Sequence, residues 1–290
     1  QEEAALTLPR TYGVDDIPII IQSKSLAPNN QIEIMGPDLT LMVNGTIGPE
    51  VDCPAQMVRF RALNASSNRV YNIGVNDSRN FFQIGTDGGL LEAPVTLNRL
   101  RLSPGERAEF VVDFSGDIGN QLFLQSYADE FPPFIPGGPT PDSTNPLDGA
   151  RFSFLAVNVV APTANPVTSL PPALVPVPDF DTSDVDVVRH LTFNGGGPGN
   201  PFTIDNTLYN HHVNNHVVQL DDVEIWELEN QTNASHPFHI HDIQFRILDR
   251  NGNPPPPNER GLKDVVLVLP NETVRFITQF TDFTDSLVPY

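Results

Sequence analysis

Two stretches, RFRALNAS (residues 59–66) and LSPGERAEFVVDF (102–114), recur later in the chain as IWELENQT (225–232) and VLPNETVRFITQF (268–280). Both recurrences have the same spacing of 166 residues, because position 64 matches 230 and position 114 matches 280. A constant spacing across two separate blocks is typical of a duplicated unit. The sequence therefore predicts two related domains with the same strand order.

The segments inside each copy have the pattern of β-strands. In MVRFRAL (57–63), Val58, Phe60 and Ala62 lie on one face while Arg59 and Arg61 lie on the other, which predicts a half-buried antiparallel strand. Other strand-like segments are IPIIIQ (17–22), RAEFVVDF (107–114), NQLFLQSY (120–127), RFSFLAVNVV (151–160), VEIWELEN (223–230), VVLVLP (265–270) and VRFITQF (274–280). No amphipathic helix of ten residues is evident, so the predicted class is an all-β sandwich or barrel.

A proline-rich stretch, APTANPVTSLPPALVPVPDFD (161–181), lacks the alternation of a strand and is predicted to be a linker. We therefore expect one domain at 1–160 and another at 182–290. The first copy continues past Phe114 into two more strands, whereas the second stops ten residues past Phe280. We expect the second domain to be C-terminally incomplete and the chain to be a fragment.

Composition excludes some classes of partner. The net charge of −20, from 16 Lys and Arg against 36 Asp and Glu, disfavours nucleic acid and anionic lipid. No run of about 18 apolar residues predicts a membrane span, and the first residues do not resemble a secretion signal, so any signal is removed or lies upstream. The one cysteine, Cys53, rules out an internal disulfide framework.

Three of the seven histidines fall within the stretch NASHPFHIHDIQF (233–245). If FHIHDIQFRIL (238–248) is one strand, His239 and His241 share a face with its apolar side chains. His236 has the opposite parity and precedes Pro237. Imidazoles buried among apolar neighbours need a partner, and a metal ion provides one. The parity predicts two metal positions, one reached by His236 and the other by His239 and His241.

The first copy carries no such ligands. With the spacing of 166, the matching positions are Val70, Ile73 and Val75, so the histidines are additions to a fold that does not require them. The alternative is three polar strand residues satisfied by water or carbonyl groups. Zinc sites also use His-x-His pairs, so the motif by itself does not identify the metal.

The sequence resembles the three-domain multicopper oxidases, especially their bacterial periplasmic and laccase-like branch. The resemblance runs through most of the chain, in HPFHIHDIQFRILDRNGNPPPPNERGLKDVVLV, DDIPIIIQ, VNGTIGP, VRFRALNASSNRVYNI and DGGLLEAPV with LSPGERAEFVVDF. It implies two cupredoxin-like Greek-key β-sandwich domains, with 1–160 as the family's middle domain without copper ligands. Residues 182–290 would be its copper-binding third domain, truncated.

The resemblance also implies roles for the histidines. In the family's His-Pro-x-His-x-His motif, the first histidine binds type 1 copper, the second type 2 copper and the third one of the type 3 coppers, which here are His236, His239 and His241. The family's terminal His-Cys-His segment and its first domain are missing, and Cys53 lies in the wrong copy to replace the thiolate. The isolated chain is therefore expected to be metal-poor and inactive.

The function implied for the parent protein is laccase-like. Phenolic or aromatic donors, or metal ions, would lose single electrons while dioxygen is reduced to water, in the periplasm or outside the cell. Relatives that oxidise Cu(I) tend to carry a Met-rich insert ahead of the third domain, whereas this chain has FNGGGPGNPF there, which favours organic donors. The alternative is a copper-free scaffold of the same fold, and a zinc hydrolase is a third interpretation that lacks a carboxylate ligand on the same strand.

The remaining candidates have simpler interpretations. His211, His212 and His216 are interpreted as solvated loop residues and His190 as an ordinary strand residue. Cys53 is predicted to be an inert buried side chain, and Trp226 is predicted to lie in the core. Asp242 and Asp264 could each accept a ring N–H from a ligand histidine, although we favour the interpretation of both as solvated acids.

Overall fold

The computed structural model describes residues 3–33, 38–141, 143–197, 199–281 and 284. Described residues form β-strands and three short 3₁₀ turns, at Glu3–Ala5, Ala128–Glu130 and Pro257–Glu259. The chain divides into a first unit, Gln1–Thr86 with Leu90–Pro176, and a second unit, Asp87–Gly89 with Val177–Tyr290. The prediction of an all-β chain is confirmed. No described helix has the length and apolar character needed to cross a membrane.

The first unit is a sandwich of two sheets. Its larger sheet has the order β4-β3-β1-β6-β11-β8-β9, with β2 beside β1, and its smaller sheet has the order β10-β7-β12-β13-β5. The strands are β1 (Asp16–Leu26), β2 (Ile32–Glu33), β3 (Thr40–Val43), β4 (Thr46–Ile47), β5 (Glu50–Pro54), β6 (Met57–Asn64), β7 (Tyr71–Val75), β8 (Phe81–Thr86), β9 (Gly89–Leu97), β10 (Leu100–Leu102), β11 (Arg107–Asp113), β12 (Gln121–Tyr127) and β13 (Arg151–Val160).

The core of the first unit lies between these sheets. Alternate side chains of β6 and β11 enter it, and Phe60 stacks on Phe110 with ring centroids 5.4 Å apart. The prediction that β6 has one exposed face is confirmed at Arg61 and wrong at Arg59. Arg59 is only 4% exposed and forms ion pairs with Glu3 and Glu109. A buried guanidinium needs such partners, since an unpaired charge in the interior costs several kcal/mol, about 3 to 5.

The second unit has a five-stranded sheet of order β15-β14-β16-β20-β18 and a two-stranded sheet of β17 and β19. Its core contains Trp226, Leu228, Phe245, Phe276 and Phe280. The strands are β14 (Val187–Asn194), β15 (Thr203–Ile204), β16 (Val223–Asn230), β17 (His236–His239), β18 (Phe245–Arg250), β19 (Val265–Val268) and β20 (Thr273–Gln279).

The duplication predicted from the 166-residue spacing is confirmed. β6 and β11 pair antiparallel with Phe60 opposite Phe110, and β16 and β20 do so with Trp226 opposite Phe276. A parallel strand flanks each pair, β1 beside β6 and β14 beside β16. The orders β1-β6-β11-β8 and β14-β16-β20-β18 are therefore the same order in two copies.

Much of the proline-rich stretch packs on the first unit. Val167, Leu170 and Leu174 contact a buried apolar cluster there, and the amide of Leu174 donates to the carbonyl of Glu92 over 2.7 Å. Residues up to Pro176 belong to the first unit. A linker at 161–181 therefore stays a prediction only for its last residues.

Candidate metal centre

The three histidines lie where the second unit passes from one sheet to the other. β17 pairs with β19 and ends at His239, whereas β18 begins at Phe245 and pairs with β20. Between them Asp242 adopts a left-handed conformation, with φ of 68°. The prediction of one continuous strand over 238–248 is therefore wrong, because the chain must turn to change sheets.

His239 and His241 nevertheless come together. Their ring centroids are 4.9 Å apart. The prediction that they share the buried face is wrong: Ile243, Phe245 and Ile247 are buried, whereas the His239 side chain is 44% exposed and His241 is exposed too. Both imidazoles are therefore accessible to a metal ion.

A backbone carbonyl orients the ring of His239. Its Nδ1 lies 2.8 Å from the carbonyl oxygen of Asp264 and 3.5 Å from that residue's carboxylate. A carbonyl oxygen only accepts, so Nδ1 carries the hydrogen and the lone pair is on Nε2. The interpretation of Asp264 as a solvated acid is wrong, since its side chain is 15% exposed, whereas Asp242 is exposed as expected.

His236 has a different environment. Its Nε2 lies 2.8 Å from the hydroxyl of Thr232, and the ring of Phe202 meets it edge-on with centroids 4.7 Å apart. Phe193 forms a second edge contact at 5.9 Å. Burial lowers the pKa of His236 below its ordinary value, because desolvation penalises the charged ring. The imidazole is therefore neutral near pH 7, as a metal ligand must be.

The strand register corrects the matching positions in the first copy. Val268 of β19 faces His236, and the equivalent Leu102 of β10 faces Tyr71. The loop before β17 is one residue shorter than the loop before β7, so the two strands are related by a spacing of 165 residues instead of 166. The counterparts of His236 and His239 are Tyr71 and Gly74, in place of the predicted Val70 and Ile73, and the register ends before His241, whose predicted counterpart Val75 it does not test.

A groove of about 1050 Å³ opens beside β17 in the second unit. Its walls include the aromatic side chains of Phe193, Phe202, Trp226 and Phe238, and His236 and His239 also line it. In the first unit β7 pairs with β10 on one side and β12 on the other. Among the described residues of the second unit, β17 pairs with β19 alone.

The donors fit copper in kind. Imidazole suits copper, and both His236 and His239 hold one ring nitrogen in a hydrogen bond, which for His239 leaves the lone pair on Nε2. Within the part of the chain that the structure describes, no three His, Cys, Asp or Glu side chains group closely enough to hold a metal ion. The histidines therefore have the chemistry of copper ligands, but the described residues supply too few ligands to complete a site.

The lesser candidates lie mostly as predicted. His211, His212 and His216 are exposed, and His190 is an exposed residue of β14 whose Nδ1 lies 3.1 Å from Glu227. Trp226 is buried, as is Cys53, whose thiol pKa is raised to about 12 mainly by burial. The sequence did not predict the contacts of His236 with Thr232 and Phe202. The repeat contained a signal for the first, because Ser66 occupies the matching position.

Comparison with known proteins finds multicopper oxidases, laccases and a cell division protein. A family model described as multicopper oxidase matches residues 182–283. A laccase of Bacillus subtilis (strain 168) is 30% identical over 86% of this chain and 50% of its own length. The cell division protein FtsP of Xenorhabdus nematophila is 33% identical over 92% of this chain and 55% of its own. The McoA multicopper oxidase of the hyperthermophile Aquifex aeolicus superposes with a TM-score of 0.79 at 30% identity, over 96% of this chain and 62% of that one.

Proposed function

This chain belongs to the multicopper oxidase family, and from that premise we propose that it supplies copper ligands to a laccase-like oxidase. The chain spans about half the length of the curated relatives it matches. The reaction is one-electron oxidation of phenolic or aromatic donors, or of metal ions, coupled to four-electron reduction of dioxygen to water. The observation that carries the proposal is the placement of three histidines in two distinct environments, with His236 and His239 lining one open groove.

The two environments support two metal positions. His236 is half-buried, offers Nδ1 and is packed against aromatic rings, whereas His239 and His241 are exposed neighbours and His239 offers Nε2. We assign His236 to type 1 copper at one position, and His239 and His241 to the type 2 and type 3 coppers of a cluster at the other. Copper bound at these positions supplies the one-electron chemistry that links an organic donor to dioxygen.

The remaining ligands come from polypeptide outside the described residues. A thiolate is required for type 1 copper, and Cys53 is a buried thiol of the first unit. The side of β17 with which no described strand pairs is the position that β12 holds beside β7 in the first unit. We propose that a strand carrying a cysteine and further histidines pairs there, and that another domain completes the cluster.

Organic donors fit this chain better than Cu(I). The segment between β14 and β15 contains glycine, proline and Phe202 but no methionine, so it offers no soft thioether ligand for Cu(I). Phe202 instead presents an aromatic ring that is 54% exposed beside His236. The proposed compartment, the periplasm or the cell exterior, rests on the family resemblance.

A copper-free structural role is the second candidate, because a protein named for cell division is 33% identical over 92% of the chain. Such a role requires none of the three histidines to be available. His239 and His241 are exposed with their rings 4.9 Å apart, which favours the metal-binding role.

A chimaera tests the assignment. The C-terminal segment of the Bacillus subtilis laccase is joined to the end of this chain and the product is loaded with Cu(II). We expect an intense band near 600 nm, roughly where copper-thiolate charge transfer falls. His236→Ala abolishes that band, whereas His239→Ala retains it. A band that survives His236→Ala would refute the type 1 assignment.

Dioxygen uptake with a phenolic donor tests the reaction. It requires a second chimaera that also carries the relative's N-terminal domain, because the cluster needs those ligands. We expect uptake in this protein and its loss in His239→Ala and His241→Ala. A protein that folds but takes up neither copper nor dioxygen would instead support the copper-free role.

A further inference from the structure

The side chain of Thr232 lies between β16 and β17 and is 4% exposed. Its hydroxyl oxygen is 2.8 Å from Asn230 Oδ1, 3.0 Å from the carbonyl oxygen of Ala234 and 2.8 Å from His236 Nε2. The amide of Ala234 also donates to it, over 3.2 Å. One buried hydroxyl therefore joins the loop to the histidine ring.

The orientation of Asn230 fixes where the hydroxyl proton goes. Its Nδ2 donates to the carbonyl oxygens of Ala234, Val268 and Leu269, which places Oδ1 toward Thr232 as an acceptor. The carbonyl oxygen of Ala234 also only accepts. If Thr232 donated its one hydroxyl proton to the ring, the contacts of 2.8 Å to Asn230 Oδ1 and 3.0 Å to the carbonyl oxygen of Ala234 would both be left without a hydrogen. Donation to one of these oxygens avoids that and leaves a lone pair of the hydroxyl facing the ring. His236 Nε2 therefore carries the hydrogen, and Nδ1 keeps the lone pair.

The first copy contains the same arrangement around a residue that binds no metal. Asn64 Nδ2 donates to the carbonyl oxygens of Arg69 and Leu102, and Ser66 Oγ lies 2.9 Å from the hydroxyl of Tyr71. Ser66 and Tyr71 are the counterparts of Thr232 and His236. The hydroxyl bridge is thus a property of the scaffold, and the second copy uses it on an imidazole.

We propose that Thr232 is a positioning residue for His236: by accepting the Nε2 hydrogen it holds the ring in one tautomer and presents Nδ1 to the metal. This inference rests on the proposed function for the identity of the metal, although the tautomer itself is a property of the chain without metal. Contacts of this kind typically change metal affinity by about 10- to 100-fold when removed. Phe202 and Phe193, packed on the edges of the ring, restrict its rotation further.

The test is long-range ¹H–¹⁵N correlation spectroscopy on the 290-residue chain labelled in histidine, without metal, with His236 assigned from a His236→Asn variant. We expect the Nε2–H tautomer in the natural sequence and a mixture of tautomers in Thr232→Val. Thr232→Ser restores the single tautomer, because serine keeps the hydroxyl. Ser66→Ala, the matched change in the first copy, leaves the His236 signals unchanged.

An Nδ1–H tautomer in the natural sequence, or an unchanged single tautomer in Thr232→Val, would overturn the proposal. A structural role alone would lower stability in both Thr232→Val and Ser66→Ala without changing the tautomer, and that result would also overturn it. Copper affinity in the C-terminal chimaera separates the two proposals. If His236 binds no copper while the tautomer depends on Thr232, the proposed function fails and the positioning role stands.

Discussion

The loops around Asn64 and Asn230 have the same hydrogen bonds but lead to strands with different residues. In both, an asparagine amide donates to backbone carbonyls of the loop and of the facing strand. In both, a glutamate also accepts the backbone amide of the residue three positions before it, Glu106 from Ser103 and Glu272 from Leu269. The strand that follows holds Tyr71 in one copy and His236 in the other. A duplicated scaffold therefore accepts metal ligands without altering the contacts that hold its loops together.

The difference lies in what covers the strand. In the first unit, β12 pairs with β7, and a Cβ placed on Gly74 would approach Arg99 Nη1 and Tyr127 Cε2 to 2.9 Å. In the second unit the counterpart of Gly74 is His239, which is 44% exposed. Among the described residues, a second strand pairs with β7 in the first copy, whereas only β19 pairs with β17 in the second. The copy that carries histidine is therefore the one whose described residues leave this position accessible.

The largest effect is expected at the shared asparagines. Asn64→Ala and Asn230→Ala each leave several buried backbone groups unsatisfied, at about 1 to 3 kcal/mol per group, so each is expected to cost about 3 kcal/mol of unfolding free energy in its own unit. Hydrogen exchange of the β6 and β16 amides measures the two units separately. The exposed Asn98→Ala and Asn214→Ala are the matched controls. A large loss in only one unit would break the equivalence of the two loops.

The covering strand predicts an asymmetry in tolerance. Gly74→Ala is expected to cost about 2 kcal/mol, since the added methyl group overpacks against Tyr127 and the backbone of Asn98. His239→Ala is expected to change stability by less than about 1 kcal/mol, because the side chain is partly exposed. Denaturant titration followed in each unit by hydrogen exchange measures both. Equal costs would mean that the second copy is as closed as the first.

Copper binding is expected to be sensitive to the two exposed histidines, although stability is not. His239→Ala or His241→Ala is expected to weaken Cu(II) binding to the 290-residue chain by at least about tenfold, or about 1.4 kcal/mol, since a single imidazole remains of the pair. Competition with a chromophoric chelator measures it. His190→Ala, an exposed strand histidine bonded to Glu227, is the control and leaves the affinity unchanged. A comparable loss in the control would indicate non-specific binding.

No effect on copper is expected from Cys53→Ala. Burial, with a further contribution from Asp52, raises the pKa of the Cys53 thiol to about 12, so the reactive thiolate is scarce below that pH. Native protein at pH 8 is expected to react with iodoacetamide far more slowly than protein unfolded in urea, as measured by mass spectrometry. Rapid alkylation of the native chain, or weaker copper binding in Cys53→Ala, would contradict the burial of this thiol.

The sequence predicted strands better than it predicted their surroundings. Alternation located β6 and β16 because packing between sheets requires a period of two, but it placed Arg59 in solvent since pairing with Glu109 depends on a strand distant in sequence. Parity separated His236 from the other two histidines, yet it missed the turn at Asp242, which arises where the chain changes sheets. The shorter loop after Asn230 altered the register by one residue, and only the pairing of β17 with β19 reveals it.

The central claim is that His236 belongs to one metal position and His239 with His241 to another. Titrating Cu(II) into the histidine-labelled 290-residue chain, with ring signals assigned from single His→Asn variants, tests it through paramagnetic broadening. We predict that the signals of His239 and His241 broaden together at the lowest copper concentrations while that of His236 persists until more copper is added. Parallel broadening of all three rings from the first addition, as one shared ion would cause, would contradict the account.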